Sequence, residues 1–215
     1  MNSRWFAFAS IGLMLALSAI TYGQLPENVP IHWNMQGEID GYGSKGVAVL
    51  FFPVVAIFIV LLMRVLPAHD PISKNPLNAE LTRRFGDWVV VFLLVVHAGV
   101  LGNALGLPFD IIQLITGAMG VLFIAIGNEM GRLKPNSWAG IRLPWTLADE
   151  EVWRKSNRMG GRSFVFVGLA CIVSALVLPP PAGLIVLTAS IFVAVIFMMV
   201  YSYWVAQQKR RSLNR

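Results

Sequence analysis

The residues of this 215-residue chain that could do chemistry lie in two polar segments and one isolated polar pair. The first segment, residues 25–45, reads LPENVPIHWNMQGEIDGYGSK and holds His32, Asn34, Glu38 and Asp40. An imidazole and two carboxylates within nine residues raise the question of a cation site. The spacing matches no regular metal motif, and an asparagine amide is a poor ligand for a transition metal, so no metal is assigned. The segment reads better as an ordered, turn-rich contact surface. Pro26 and Pro30 hold the chain extended, Gly37, Gly41 and Gly43 permit tight turns, and Trp33 and Tyr42 suit a membrane interface. Its candidate ligand- or partner-contact residues are His32, Trp33, Asn34, Gly37, Asp40 and Lys45.

The second segment, residues 127–162, reads GNEMGRLKPNSWAGIRLPWTLADEEVWRKSNRMGGR. Glu129 stands at the end of an apolar run, where a carboxylate is costly unless paired. Arg142, whose guanidinium fork can hold a carboxylate with two hydrogen bonds, is the expected partner, with Asn128 and Asn136 meeting backbone groups. Further on, Thr146 and Asp149 resemble a capping box, Asp149, Glu150 and Glu151 suit a first helical turn, and Arg154, Lys155 and Arg158 suit the last turns. Glu150–Arg154 and Glu151–Lys155 are spaced as i,i+4 pairs. With Gly160-Gly161 as a stop, this predicts a short interfacial helix that presents Leu147, Val152 and Trp153 to the lipid headgroups. The candidate motif residues are Asn128, Glu129, Pro135, Asn136, Gly140, Arg142, Pro144, Trp145, Thr146, Glu151 and Trp153.

The isolated pair is His97 and Asn103, inside an apolar run. Ionisable groups at such depth are candidates for function, and equally for hydrogen bonding between helices; Gln113 and Thr116 are the expected neighbours. Gly99, Gly102, Gly106, Gly117 and Gly120 would let helices approach closely.

The elements that must position these groups are apolar. Hydrophobic residues make up 56% of the chain and charged residues 13%, against about a quarter charged in soluble domains. Six runs of roughly the length needed to cross a bilayer cover residues 5–22, 46–66, 87–107, 111–130, 163–179 and 183–206. The fold class is therefore an all-α, six-helix membrane bundle in a single domain, residues 1–215. Pro179-Pro180-Pro181 forces a tight turn between the last two runs.

Sixteen of the 17 Lys and Arg residues fall on one side of the six runs, from Arg4 to Arg215; Lys45 is the exception. The positive-inside rule then places both termini in the cytoplasm and residues 25–45 outside. A cleaved signal peptide starting at Arg4 is disfavoured, because Thr21-Tyr22-Gly23 is a poor small-x-small site. The net charge of +6 is read as topology-setting loop charge and contact with anionic lipid, not direct nucleic-acid binding. The single Cys171 can form no intramolecular disulfide. No Ser/His pair, paired intramembrane aspartates or H-E-x-x-H appears, so neither catalytic residues nor a cofactor is assigned and an enzyme is not expected.

Within the second segment, Gly127-Asn128, Lys134-Pro135-Asn136, Gly140-Ile141-Arg142, Pro144-Trp145-Thr146 and Glu151 with Trp153 resemble the signature of the SdpI family, membrane immunity proteins against a sporulation-delaying toxin. Pro26, Pro30, His32, Asn34, Gly37, Asp40 and Lys45 resemble the outer-loop motif of longer members. The resemblance spans about residues 5–206. It implies residues 1–66 as the first two crossings with the outer loop, and residues 87–206 as an SdpI-like four-helix part with motif loop 127–162. It further implies a multi-pass protein of the bacterial inner (cytoplasmic) membrane giving resistance to a secreted membrane-active peptide toxin, with sensing and sequestration of a cytoplasmic transcriptional repressor as a second role. A small membrane transporter or peptide exporter is the alternative, against which stand the lack of a clear inverted repeat or broken helix pair.

Overall fold

The computed structural model describes residues 5–213, so Arg4 and Arg215 of the charge pattern lie outside the described residues. The helices are α1 (Phe6–Thr21), α2 (Lys45–Val65), α3 (Pro76–Ala104), α4 (Ile111–Met130), the short α5 (Pro144–Leu147), α6 (Glu150–Val177) and α7 (Pro180–Leu213). Between α1 and α2 the chain forms an antiparallel hairpin of β1 (Asn28–Trp33) and β2 (Ile39–Ser44). The expected turn-rich segment is thus a β-ribbon, and the all-α bundle carries one sheet element.

Among the described residues five helices, α2, α3, α4, α6 and α7, are long and apolar enough to cross a membrane. Helix α1 has 16 residues; at 1.5 Å each it measures about 24 Å, short of the roughly 30 Å hydrocarbon layer. Apolar side chains cover the outer surfaces of the long helices, among them Phe51, Val54 and Phe58 on α2, Phe166 and Leu176 on α6, and Phe192 and Val193 on α7. Surface of this kind and extent is at home in lipid rather than water.

Short polar side chains start most helices by accepting backbone N–H groups that have no partner within the helix. Ser44 does so for Val47, Asn75 for Leu77, Asp110 for Gln113 and Asp149 for Val152. Helix α6 packs chiefly on α4 and α7, and α3 packs on α1, α2 and α4. The closest approach is between α4 and α6. A Cβ on Gly120 would lie 2.6 Å from the Gly168 carbonyl, and one on Gly127 2.6 Å from the Gly161 carbonyl. The α6–α7 turn comes at Leu178-Pro179, as the proline run predicts.

The predicted interfacial helix is corrected. Gly160 and Gly161 do not end it; α6 continues unbroken from Glu150 to Val177. Both glycines are packing positions, Gly161 against the Gly127 carbonyl and Gly160 against Ile141, Met130 and Met198. Val152 and Trp153 are buried in the protein rather than offered to headgroups. Asp149 alone caps α6, while Thr146 sits inside the four-residue α5.

Candidate functional site

The motif loop between α4 and α6 is a closed polar clasp, built from side chains that satisfy its own backbone. Asn136, only 2% exposed, accepts the N–H groups of Trp138 and Ala139 at 2.8 Å each and donates to the carbonyls of Lys134 (2.9 Å) and Ala139 (3.1 Å). Asn157 accepts Ile141 N–H at 2.8 Å and donates to the Trp153 carbonyl. The Trp153 indole N–H donates to the Leu133 carbonyl at 2.8 Å. The Thr146 hydroxyl donates to the Ile141 carbonyl at 2.6 Å and accepts Leu143 N–H. The Trp145 indole reaches Ser202 of α7 at 3.0 Å. Gly140 sits at φ +102°, where any side chain is strained, and a Cβ there would run into the Asn157 amide. A buried loop without regular ladders must find such partners for its backbone, which explains the residue types along this stretch.

Two groups outside the loop lock it to the α2–α3 corner. The Asp70 carboxylate, buried, accepts Ile72 N–H (2.8 Å), Ser73 N–H (3.1 Å), Ser137 N–H (3.1 Å) and the Ser137 hydroxyl (3.0 Å). Burial alone would raise this carboxyl, but the hydrogen bonds from Ile72, Ser137 and Ser73 outweigh it and hold the group below the usual carboxylate range. Asn78 of α3 accepts Lys134 N–H at 2.9 Å.

The expected Glu129–Arg142 pair does not form. Glu129 is held by Arg84 of α3 at 2.7 Å and by Arg132 one turn on, and Arg84 also holds Glu80 at 2.8 Å. Arg142 is exposed and donates to the Ser137 carbonyl. The spacing along one segment concealed that α3 runs beside α4 and brings its own arginine closer. Of the expected i,i+4 pairs, Glu151–Lys155 forms at 2.8 Å, and Lys209 of α7 joins Glu151 at 2.5 Å. Glu150 faces Lys134 at 3.4 Å instead of Arg154. Pro135 and Pro144 flank the clasp, and Asn128 is exposed on α4 without a role in it.

At the other end of the helices the hairpin sorts its candidate residues into two kinds. Asn34 builds the turn, accepting Gln36 and Glu38 N–H and donating to the Glu38 carboxylate at 2.9 Å, with Gly37 at φ +83°. Trp33 packs against the cluster that includes Leu25, Val29 and Val100. Lys45 pairs with Glu27 at 2.6 Å and stands over the Tyr22 ring. His32 and Asp40 face outward, 2.5 Å apart. The turn lies against the start of α4: a Cβ on Gly37 would sit 3.0 Å from an Asp110 carboxylate oxygen. Asp110 and Gln113 are the polar residues at the mouth of an otherwise apolar groove of about 640 Å³, walled by Trp88, Phe92 and Phe109 and reaching Gly117 and Ile172.

His97 is fully buried. Its Nε2 lies 3.0 Å from the Ser18 hydroxyl and 3.3 Å from the Met14 carbonyl, with Phe52 edge-on. Because the Ser18 hydroxyl donates to the Val49 carbonyl at 2.8 Å, it accepts from His97, so Nε2 carries the hydrogen. Nδ1 has no partner. Neither expected neighbour, Gln113 or Thr116, is a hydrogen-bond partner of His97; Gln113 donates to the Leu178 carbonyl, and Asn103 is half-buried near the end of α3. His97 therefore joins α1, α2 and α3, a linkage that Ser18 alone could have signalled.

A helical bundle with lipid-suited flanks, a polar clasp at one end and a hairpin at the other defines a multi-pass membrane protein. The SdpI/YfhL protein family model matches residues 132–202, and a domain of unknown function (DUF1648) matches residues 9–57. The chain is 30% identical over 156 residues to Immunity protein SdpI of Bacillus subtilis (strain 168), covering 73% of each chain. This chain belongs to the SdpI family. No solved structure matches it.

Proposed function

We propose that this chain is a membrane immunity protein of the bacterial inner membrane, protecting its host from a secreted membrane-active peptide. The reading takes α1 as a sixth crossing, with both termini cytoplasmic, and residues 1–215 as one domain. The single observation that carries it is the hairpin turn at Gly37 lying against Asp110, which with Gln113 also lines the apolar groove. An incoming peptide would meet the outward-facing His32 and Asp40 first, with Glu38 and Asp110 beside them. Against those groups stands Lys45, already paired with Glu27. An acidic outer face of this kind favours a cationic partner, and the groove offers its apolar part a place to go. The exposed cations at the clasp end, Lys134, Arg142 and Arg154, form the surface that a cytoplasmic repressor would meet if the protein also senses its peptide.

The test is survival of a sensitive bacterium, challenged with a secreted sporulation-delaying peptide, when it expresses variants of this chain. Asp40→Asn with Glu38→Gln removes outward charge from exposed positions. Protection should fall at least tenfold at unchanged membrane abundance. Full protection by that variant would remove the hairpin from the contact surface. Trp33→Ala is a poorer probe, since Trp33 supports the hairpin by packing.

A further inference from the structure

On the clasp side, α4 and α6 leave a groove of about 480 Å³ that the clasp does not use. Its floor is the glycine contact between Gly127 and Gly161, where backbone meets backbone and no side chain fills the space. Arg158 and Arg162 line it from α6, spaced i,i+4 and so on one face. Both are exposed. Among the described residues five cations near the clasp have acidic partners: Arg84 and Arg132 on Glu129, Lys134 on Glu150, Lys155 and Lys209 on Glu151; Arg142 and Arg154 have no acidic partner but do not line this groove. Arg158 and Arg162 have none. Asn128, the motif residue left without a role, faces the same groove from α4. One turn further from the loop, the lining becomes apolar with Val165 and Phe166, the latter 71% exposed.

This order is cation, cation, then apolar wall, running from the loop towards the middle of the bundle. We propose that the groove binds one anionic phospholipid. Its phosphodiester would sit between the Arg158 and Arg162 guanidinium groups, whose forks match phosphate oxygens, and the Asn128 amide would donate a further hydrogen bond. An acyl chain would run along Val165 and Phe166. Basic recesses between membrane helices on the positively charged side take negatively charged headgroups in this way. The contact would also cover the thinnest part of the α4–α6 interface.

The experiment is native mass spectrometry of the full-length, detergent-purified protein titrated with phosphatidylglycerol or phosphatidylcholine. The expected result is one phosphatidylglycerol retained at least tenfold more tightly than phosphatidylcholine. Selectivity should drop severalfold in Arg158→Gln or Arg162→Gln and vanish in the double variant, while Arg211→Gln, on an exposed residue outside the groove, keeps it. Thermal melting of each variant checks that the bundle is intact. Equal retention of both lipids, or selectivity unchanged in the double variant, would overturn the proposal. So would complete displacement by millimolar inorganic phosphate, which would mark an anion site without an acyl wall.

Discussion

At the scale of single residues, the clasp is held by groups whose partners come from distant parts of the chain. Glu129 rests on Arg84, so Arg84→Ala should destabilise the protein by roughly 1–3 kcal/mol, the range for a charged hydrogen bond removed from a partly buried site. Arg142→Ala, at an exposed position with a single carbonyl partner, should cost well under 1 kcal/mol. Thermal unfolding in detergent ranks the two; equal losses would dismiss the Arg84 assignment. Asp70 makes the clasp sensitive to acid. Its folded-state carboxyl titrates below the ordinary value of 3.8, so its contribution is complete above that value and is lost as pH falls through it towards the folded-state value. Unfolding temperature measured from pH 6 to pH 3 should drop more steeply for the native chain than for Asp70→Asn. Parallel curves would show that Asp70 is not the acid-sensitive lock. The identity of these groups was only half legible in the sequence. That Glu129 needs a cation follows from its position in an apolar run. Which cation it finds depends on how α3 lies against α4, and no spacing within residues 127–162 encodes that.

At the scale of elements, the runs of apolar residues mark where the long helices lie, since 20 apolar residues in lipid can satisfy their backbone only as helix, but α3 and α6 begin 11 and 13 residues before their runs. The errors came where one residue type serves two purposes. Gly160-Gly161 has the form of a helix stop, yet here it permits contact with Gly127, and the local signal is the same for both. Gly37 marks a tight turn in the outer segment, but the flanks on either side are too rich in Gly and Pro to show strand alternation, and the role of Asn34 in building that turn has no signal of its own. The α4–α6 contact makes a sharp prediction. Gly161→Leu, with the Gly127 carbonyl in its way, should destabilise by roughly 1–3 kcal/mol through overpacking. Gly117→Leu, whose nearest obstacle is the Ala175 Cβ at 3.6 Å, should change little. Thermal unfolding of both variants checks this, and the reverse order would mean that the glycine contact is not the closest point of the bundle.

At the scale of the whole molecule, the chain is two-faced. One end is basic, with a clasp tied to α3 through Asn78 and Arg84, to α6 through Asn157 and Trp153, and to α7 through Glu151 and Lys209. The other end is acidic, with a hairpin whose turn touches Asp110, one of the residues lining an apolar groove. The asymmetry of Lys and Arg was plain in the sequence, because loop charge sets orientation before any packing exists. The groove was not, because its lining comes from three helices, α3, α4 and α6, and no single run encodes how they lie together. The proposed immunity role needs both faces: one to meet the peptide outside, the other to hold the bundle rigid while it does so. The most direct measurement is survival of a peptide-sensitive bacterium, expressing the native chain in its membrane, under challenge with a secreted sporulation-delaying peptide. The account predicts growth at peptide doses that kill the vector control. Equal killing of both, with the protein confirmed in the membrane, would contradict it.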